Sequence, residues 1–131
     1  MGYLSVIVAA VGCFAMGAVW YMSLGKVWAK AAGFEFDENG RPKGGGSMAP
    51  FAVGFLAALL LSGMLRHMFA MSGIDGLDKG LIAGLGVGLF VIAPWTWMNY
   101  AYAQRPRNLV LIDCGYAILG PAVAGAILGL F

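Results

Sequence analysis

Charged residues are scarce in this chain. Asp, Glu, Lys and Arg make up 11% of its 131 residues, whereas a soluble domain of this size carries roughly 25%. Hydrophobic residues make up 61% of the chain, and the mean hydropathy is +0.84. This balance excludes an ordinary water-soluble domain. Since the formal net charge is +2 and no long basic run is present, we expect no nucleic-acid partner.

Histidine and cysteine are too few for the commonest catalytic and metal sites. The chain has one histidine, His67, and two cysteines, Cys13 and Cys114, which lie in separate hydrophobic segments. No Ser–His–Asp or Cys–His set falls at one membrane depth, and the potential ligands are too few for a metal site. We therefore expect no enzymatic activity, no cofactor and no bound metal.

Four hydrophobic segments are each long enough to cross a membrane, which takes roughly 20 apolar residues per helix. The predicted spans cover residues 3–24, 50–71, 81–103 and 108–131. We predict one all-α transmembrane domain over residues 1–131, with the four helices in an up-down bundle. Its one long connection is a loop over residues 26–49.

Positive residues are concentrated in two of the connections. Because consecutive spans alternate in direction, the first and third connections share a side. That side carries Lys26, Lys30, Arg41, Lys43, Arg105 and Arg107. The opposite side has Lys79 and, at its edge, Arg66. Since cytoplasmic loops carry an excess of Lys and Arg, we predict that the loop 26–49 is cytoplasmic and that both termini are on the non-cytoplasmic side.

Glycine is abundant, with 21 residues, and several glycines recur at a spacing that allows close helix approach. These candidate packing positions are Gly80, Gly84, Gly88, Gly125 and Gly129. A phosphate-binding role is disfavoured because the context is a membrane helix rather than a strand–loop–helix unit. There are more glycines than one small bundle needs, which favours self-association or docking onto a larger membrane complex.

Asp113 is the most costly residue in the chain, because an isolated charge at mid-membrane costs at least ~2.5 kcal/mol. It lies about one and a half turns into the fourth span. Helix depth places a candidate polar pocket around it at the cytoplasmic edge. The pocket comprises Asp113, Asn99, Tyr100, Tyr21, Trp20, Lys26 and Tyr116. We expect Asp113 to accept hydrogen bonds from Asn99, Tyr21 or the Trp20 indole, or to pair with Lys26 or Arg105.

Two motifs resemble a known family. The first reads Gly17-Ala18-Val19-Trp20-Tyr21, followed by Gly25-Lys26-Val27-Trp28 and Gly33, and the second reads Ile112-Asp113-Cys114-Gly115-Tyr116. Together they resemble the two signatures of a bacterial integral membrane family called "domain of unknown function 1761". Leu24 stands where family members often carry Phe. The resemblance covers nearly the whole chain and implies a four-span protein of the bacterial inner membrane. It implies no activity.

Two functions therefore stay open. The first is a non-enzymatic packing or accessory subunit that forms a homo-oligomer or docks onto a larger membrane complex. The alternative is a small oligomeric transporter or channel with a cytoplasm-facing pocket around Asp113. In both cases we expect the surroundings of the protein to be the lipid bilayer.

Overall fold

The computed structural model describes residues 2–36, 38–39 and 48–131, and its regular elements over these residues are helices. They are α1 (Gly2–Ala31), α2 (Ala49–Ser72), α3 (Leu77–Val87), α4 (Ala93–Tyr102) and α5 (Arg107–Leu130). A π-helical turn, Gly88–Ile92, joins α3 to α4. Residues 37 and 40–47 of the predicted loop, which include Arg41 and Lys43, lie outside the described residues.

Within the described residues, four helical segments are long and apolar enough to cross a membrane, judged by length and composition. They are Gly2–Ala31, Ala49–Ser72, Leu77–Tyr102 and Arg107–Leu130. This confirms the prediction of an all-α chain with four such helices and indicates a membrane protein. α1 continues well past Leu24 to Ala31, so Trp28 belongs to the helix.

Proline and glycine set several helix ends. Pro50 lies in the first turn of α2, where its missing N–H costs no hydrogen bond. Gly73, with φ 68°, ends the same helix in the left-handed conformation that glycine adopts without strain. Pro106 is extended and immediately precedes α5. These residues keep the connections between helices short. The connection between Tyr102 and Arg107 makes α4 and α5 neighbours.

α5 is the central helix. It packs against α1, α2, α3, the π turn and α4. Residue numbers rise along α3 as they fall along α5, because Gly80 faces Gly125 and Gly129 whereas Gly88 faces Ala117. The two helices are therefore antiparallel, and their backbones touch where side chains are missing.

The five candidate packing glycines all lie in this one contact. A Cβ atom added to any of them would collide with backbone atoms on the other side of this contact, as at Gly84, where it would meet the Pro121 carbonyl. The glycine face is thus occupied inside a single chain. Consequently, these glycines are not surplus to one bundle, and the abundance of glycine alone no longer supports self-association.

Pro94 lies in the first turn of α4, directly after the π turn. The N–H of Ala93 bonds to the Gly88 carbonyl, five residues back. The Cys114 thiol of α5 donates a hydrogen bond to the Ala93 carbonyl over 3.5 Å. The helix therefore passes through the proline position with a local change of winding, of the kind that often lies at functional sites.

Candidate functional site

The carboxylate of Asp113, which is partly buried on α5, accepts three side-chain hydrogen bonds from residues that the structure describes. Oδ1 accepts from the Tyr21 hydroxyl at 2.6 Å and from the Trp28 indole Nε1 at 2.9 Å. Oδ2 accepts from the Tyr100 hydroxyl at 2.6 Å. We call these four residues the Asp113 cluster. It joins α1, α4 and α5, and each carboxylate oxygen has at least one short, charge-assisted bond.

α1 supplies two of the donors because Tyr21 and Trp28 are seven residues apart. Seven residues are close to two helical turns, so both side chains lie on one face. Their rings pack edge to face with centroids 5.9 Å apart. Phe34 packs similarly on Trp28 at 5.4 Å, and Tyr116 on Tyr21 at 5.6 Å. This aromatic wall fixes the orientation of both donors.

Tyr100 lies close to the carboxylate because the turn between α4 and α5 is short. Gln104 in this turn adopts a left-handed conformation with φ 56°, and the extended Pro106 then starts α5. The chain reverses within a few residues. As a result, the last turns of α4 lie beside the first turns of α5, where Asp113 is located.

Two other predicted members of the pocket fasten α1 to α5 without touching the carboxylate. The Trp20 indole donates to the Ile112 carbonyl at 2.9 Å. Its ring packs against Gly115 and fills the space that a side chain at this position would need. The Tyr116 hydroxyl donates to the Cys13 carbonyl at 2.9 Å. Of the alternative donors expected for Asp113, Tyr21 forms the bond, whereas the Trp20 indole does not.

Asn99 and Lys26 do not reach Asp113 either. Both are exposed, and helix rotation gives the reason. Asn99 is turned about 100° from Tyr100 on α4, and Lys26 about 140° from Tyr21 on α1. Their side chains consequently lie on other faces of the same helices.

Arg105 bonds to a different partner. Its Nη2 donates to the Ala32 carbonyl at 2.8 Å. Within the part of the chain that the structure describes, Asp113 is held by neutral donors, and the expected ion pair with Lys26 or Arg105 is not formed.

Trp28 is the member of the cluster that the sequence prediction missed. Its seven-residue spacing from Tyr21 was available as a signal, but it becomes informative only if α1 continues as a helix beyond the end of the predicted span. The structure shows this continuation to Ala31. A tryptophan just beyond an apolar segment is also typical of the membrane interface, which obscures any role as a hydrogen-bond donor.

The cluster is suited to holding helices together. Its donors are two hydroxyls and one indole, and its acceptor is one carboxylate. Among the residues that the structure describes, no group of three or more His, Cys, Asp or Glu side chains lies close enough to hold a metal ion. Satisfied networks of this kind rigidify their surroundings, whereas the loss of one member leaves a polar group unpaired.

Comparisons with curated proteins and with solved structures gave no match. The family model described as "Protein of unknown function (DUF1761)" matches residues 4–129, which is nearly the whole chain. The match confirms the resemblance that the two motifs indicated. The chain therefore belongs to this family of unknown function.

Proposed function

We propose that this protein is a non-enzymatic packing or accessory subunit of the membrane, in which the Asp113 cluster locks three helices at one membrane edge. The subunit acts by self-association or by docking onto a larger membrane complex. The observation that carries the proposal is that Tyr21, Trp28 and Tyr100, from α1 and α4, all donate to the Asp113 carboxylate of α5.

The topology belongs to the same proposal. The bond from Arg105 to the Ala32 carbonyl holds the end of α1 beside the α4–α5 turn, which supports a shared side for the first and third connections. Lys30 and Arg107 lie at the same end of the molecule. The positive-inside rule then favours a cytoplasmic location for this end, with the helices running up and down and both termini on the other side. The membrane we propose is the bacterial inner membrane.

Replacing Asp113 with Asn tests whether the Asp113 cluster holds the three helices together. The amide keeps the shape but turns an N–H₂ group toward one or more donors, so we expect a clear fall in the thermal unfolding midpoint in mild detergent. Asp75→Asn is the matched control, since Asp75 is exposed and this variant should unfold like the wild type. Equal stability of the two variants would contradict the structural role.

The subunit role is tested by the mass of the particle extracted in a gentle detergent. We expect native mass spectrometry to show more than one chain, or this chain with a stable protein partner. A strictly monomeric particle, from membranes in which the chain is produced at its natural level, would contradict the proposal.

A small transporter or channel is the second candidate. Its support is the position of Asp113, because an ionisable residue inside a membrane span is often functional, and the carboxylate is only partly buried. Proton flux into vesicles reconstituted with the purified protein separates the two functions. Flux that is lost in an Asp113→Asn variant of normal stability would favour transport, and absence of flux in the wild type would favour the subunit.

A further inference from the structure

Two cavities lie along α4 and α5. The larger has a volume of about 650 Å³ and is lined by apolar groups that include Leu89, Pro94, Leu111 and Ile118. The smaller has a volume of about 200 Å³. Trp97 lines both cavities.

The smaller cavity carries positive charge. Its lining includes Arg105, Arg107 and Trp97. Arg105 uses Nη2 to hold the Ala32 carbonyl, which leaves its other N–H groups for a ligand, and Arg107 is exposed. Arginine binds phosphate through paired N–H donors, and two arginines line this one cavity.

We propose that the two cavities together bind one anionic glycerophospholipid. The headgroup phosphate binds to Arg105 and Arg107, and one acyl chain lies in the larger cavity along α4 and α5. This site is separate from the Asp113 cluster, and it does not depend on whether the protein is a subunit or a transporter.

The dimensions fit such a ligand. A volume near 650 Å³ falls within the roughly 300–1,000 Å³ of typical ligand sites. Ile118 at the deep end lies about three turns beyond Arg107, which is ~16 Å along the helix. Half of a hydrocarbon core of ~30 Å is about the same length. The groove formed by the two cavities thus spans the depth of one leaflet, with its charged end at the membrane edge.

The local sequence explains why the groove exists. The π turn and Pro94 change the winding of the helix on one wall. Trp97 lines both cavities, and tryptophan rings prefer the headgroup boundary. Basic pockets between membrane helices on the cytoplasmic side are known to suit anionic headgroups.

Arg107→Gln tests the headgroup contact. The probes are dioleoylphosphatidylglycerol and dioleoylphosphatidylcholine, titrated into the purified protein in an uncharged detergent, with the rise in unfolding midpoint as the readout. We expect saturable binding of the anionic lipid, weakened about tenfold in Arg107→Gln because one charge-assisted contact is lost. Lys30→Gln removes the same charge from an exposed position at the same end and should bind like the wild type.

Leu111→Trp tests the acyl-chain contact independently. Leu111 is 50% exposed and lines the groove, so a larger side chain should fill it without unfolding the protein. We expect weaker binding of the anionic lipid, whereas Leu130→Trp, at an exposed position near the other end of α5, should have no effect.

Four outcomes would overturn the lipid assignment. Equal weakening by Arg107→Gln and Lys30→Gln would mean general charge attraction rather than a site. Equal binding of the two lipids would show that the headgroup charge is not recognised. Unchanged binding in Leu111→Trp would show that the acyl chain does not lie in the larger cavity. Competition by inorganic phosphate at low millimolar concentration would assign the smaller cavity to a free anion instead.

Discussion

The Tyr100 hydroxyl lies 2.6 Å from Oδ2 of Asp113 and donates a hydrogen bond to it across the α4–α5 turn. The other carboxylate oxygen is used by α1. Among the described residues, this bond is therefore the one that ties α4 to the carboxylate. Within this described part of the chain, Oδ1 has two donors, both on α1, whereas Oδ2 has one donor, on α4. The loss of a donor should therefore have different effects on the two helices.

Tyr100→Phe removes the donor to Oδ2 and keeps the ring. We expect the variant to lose roughly 1.5–3 kcal/mol of stability, the usual range for a hydrogen bond to a charged group. Thermal or denaturant unfolding in detergent measures the loss. Tyr102→Phe is the control, because Tyr102 is 85% exposed and should lose nothing. Equal unfolding midpoints for the two variants would show that Oδ2 finds another donor.

Tyr21 and Trp28 share Oδ1 of Asp113, so their contributions should be coupled. Either donor alone still satisfies the oxygen, whereas the loss of both leaves it bare. We expect the double variant Tyr21→Phe with Trp28→Phe to lose more stability than the sum of the single variants, by about 0.5–3 kcal/mol.

The matched cycle pairs Trp28→Phe with Tyr100→Phe. These donors bind different oxygens of the same carboxylate, so their coupling should be smaller. Measurement of all the variants by the same unfolding assay gives both coupling energies. Strict additivity in the Tyr21–Trp28 cycle would mean that the two bonds stabilise the protein independently.

The glycine contact between α3 and α5 gives a third prediction. A methyl group at Gly84 would run into the backbone of Pro121 and Ala122, and neither can yield without moving a helix. We expect Gly84→Ala to cost about 1–3 kcal/mol, the usual range for overpacking. Gly86→Ala on the same helix meets nothing within 4 Å. It should be neutral or stabilising, because alanine favours helix by up to about 1 kcal/mol over glycine.

Hydropathy predicted the four helices well because membrane-spanning length is a direct consequence of bilayer thickness. Depth along each helix was also predictable, so Tyr21 and Tyr100 were placed at the level of Asp113. The face that each helix turns inward was harder to predict. Asn99 and Lys26 have suitable depth and chemistry but lie on exposed faces, and the rotation of a helix is set by packing that a single hydropathy profile does not contain.

The role of the glycines shows the same limit. Their spacing predicted a close contact, but not whether the partner helix belongs to the same chain or to another copy. The structure places Gly80 and Gly84 against Gly125 and Pro121 of the same chain. The π turn before Pro94 was not predicted, because proline signals a disturbance of the helix but not the form that the neighbouring residues give it.

Arg105 offers a prediction about local rather than global stability. Its guanidinium donates to the Ala32 carbonyl beyond the end of α1, where a positive charge also interacts favourably with the helix dipole. The bond is exposed, so Arg105→Gln should leave the unfolding midpoint nearly unchanged. The last turn of α1 should open more often, because the amides of Ala32, Gly33 and Phe34 bond back to this turn. We expect faster hydrogen exchange at these three amides. Lys79→Gln, an equal loss of charge at an exposed position in the first turn of α3, should leave them unchanged, and equal exchange in both variants would show that the end of α1 is held without Arg105.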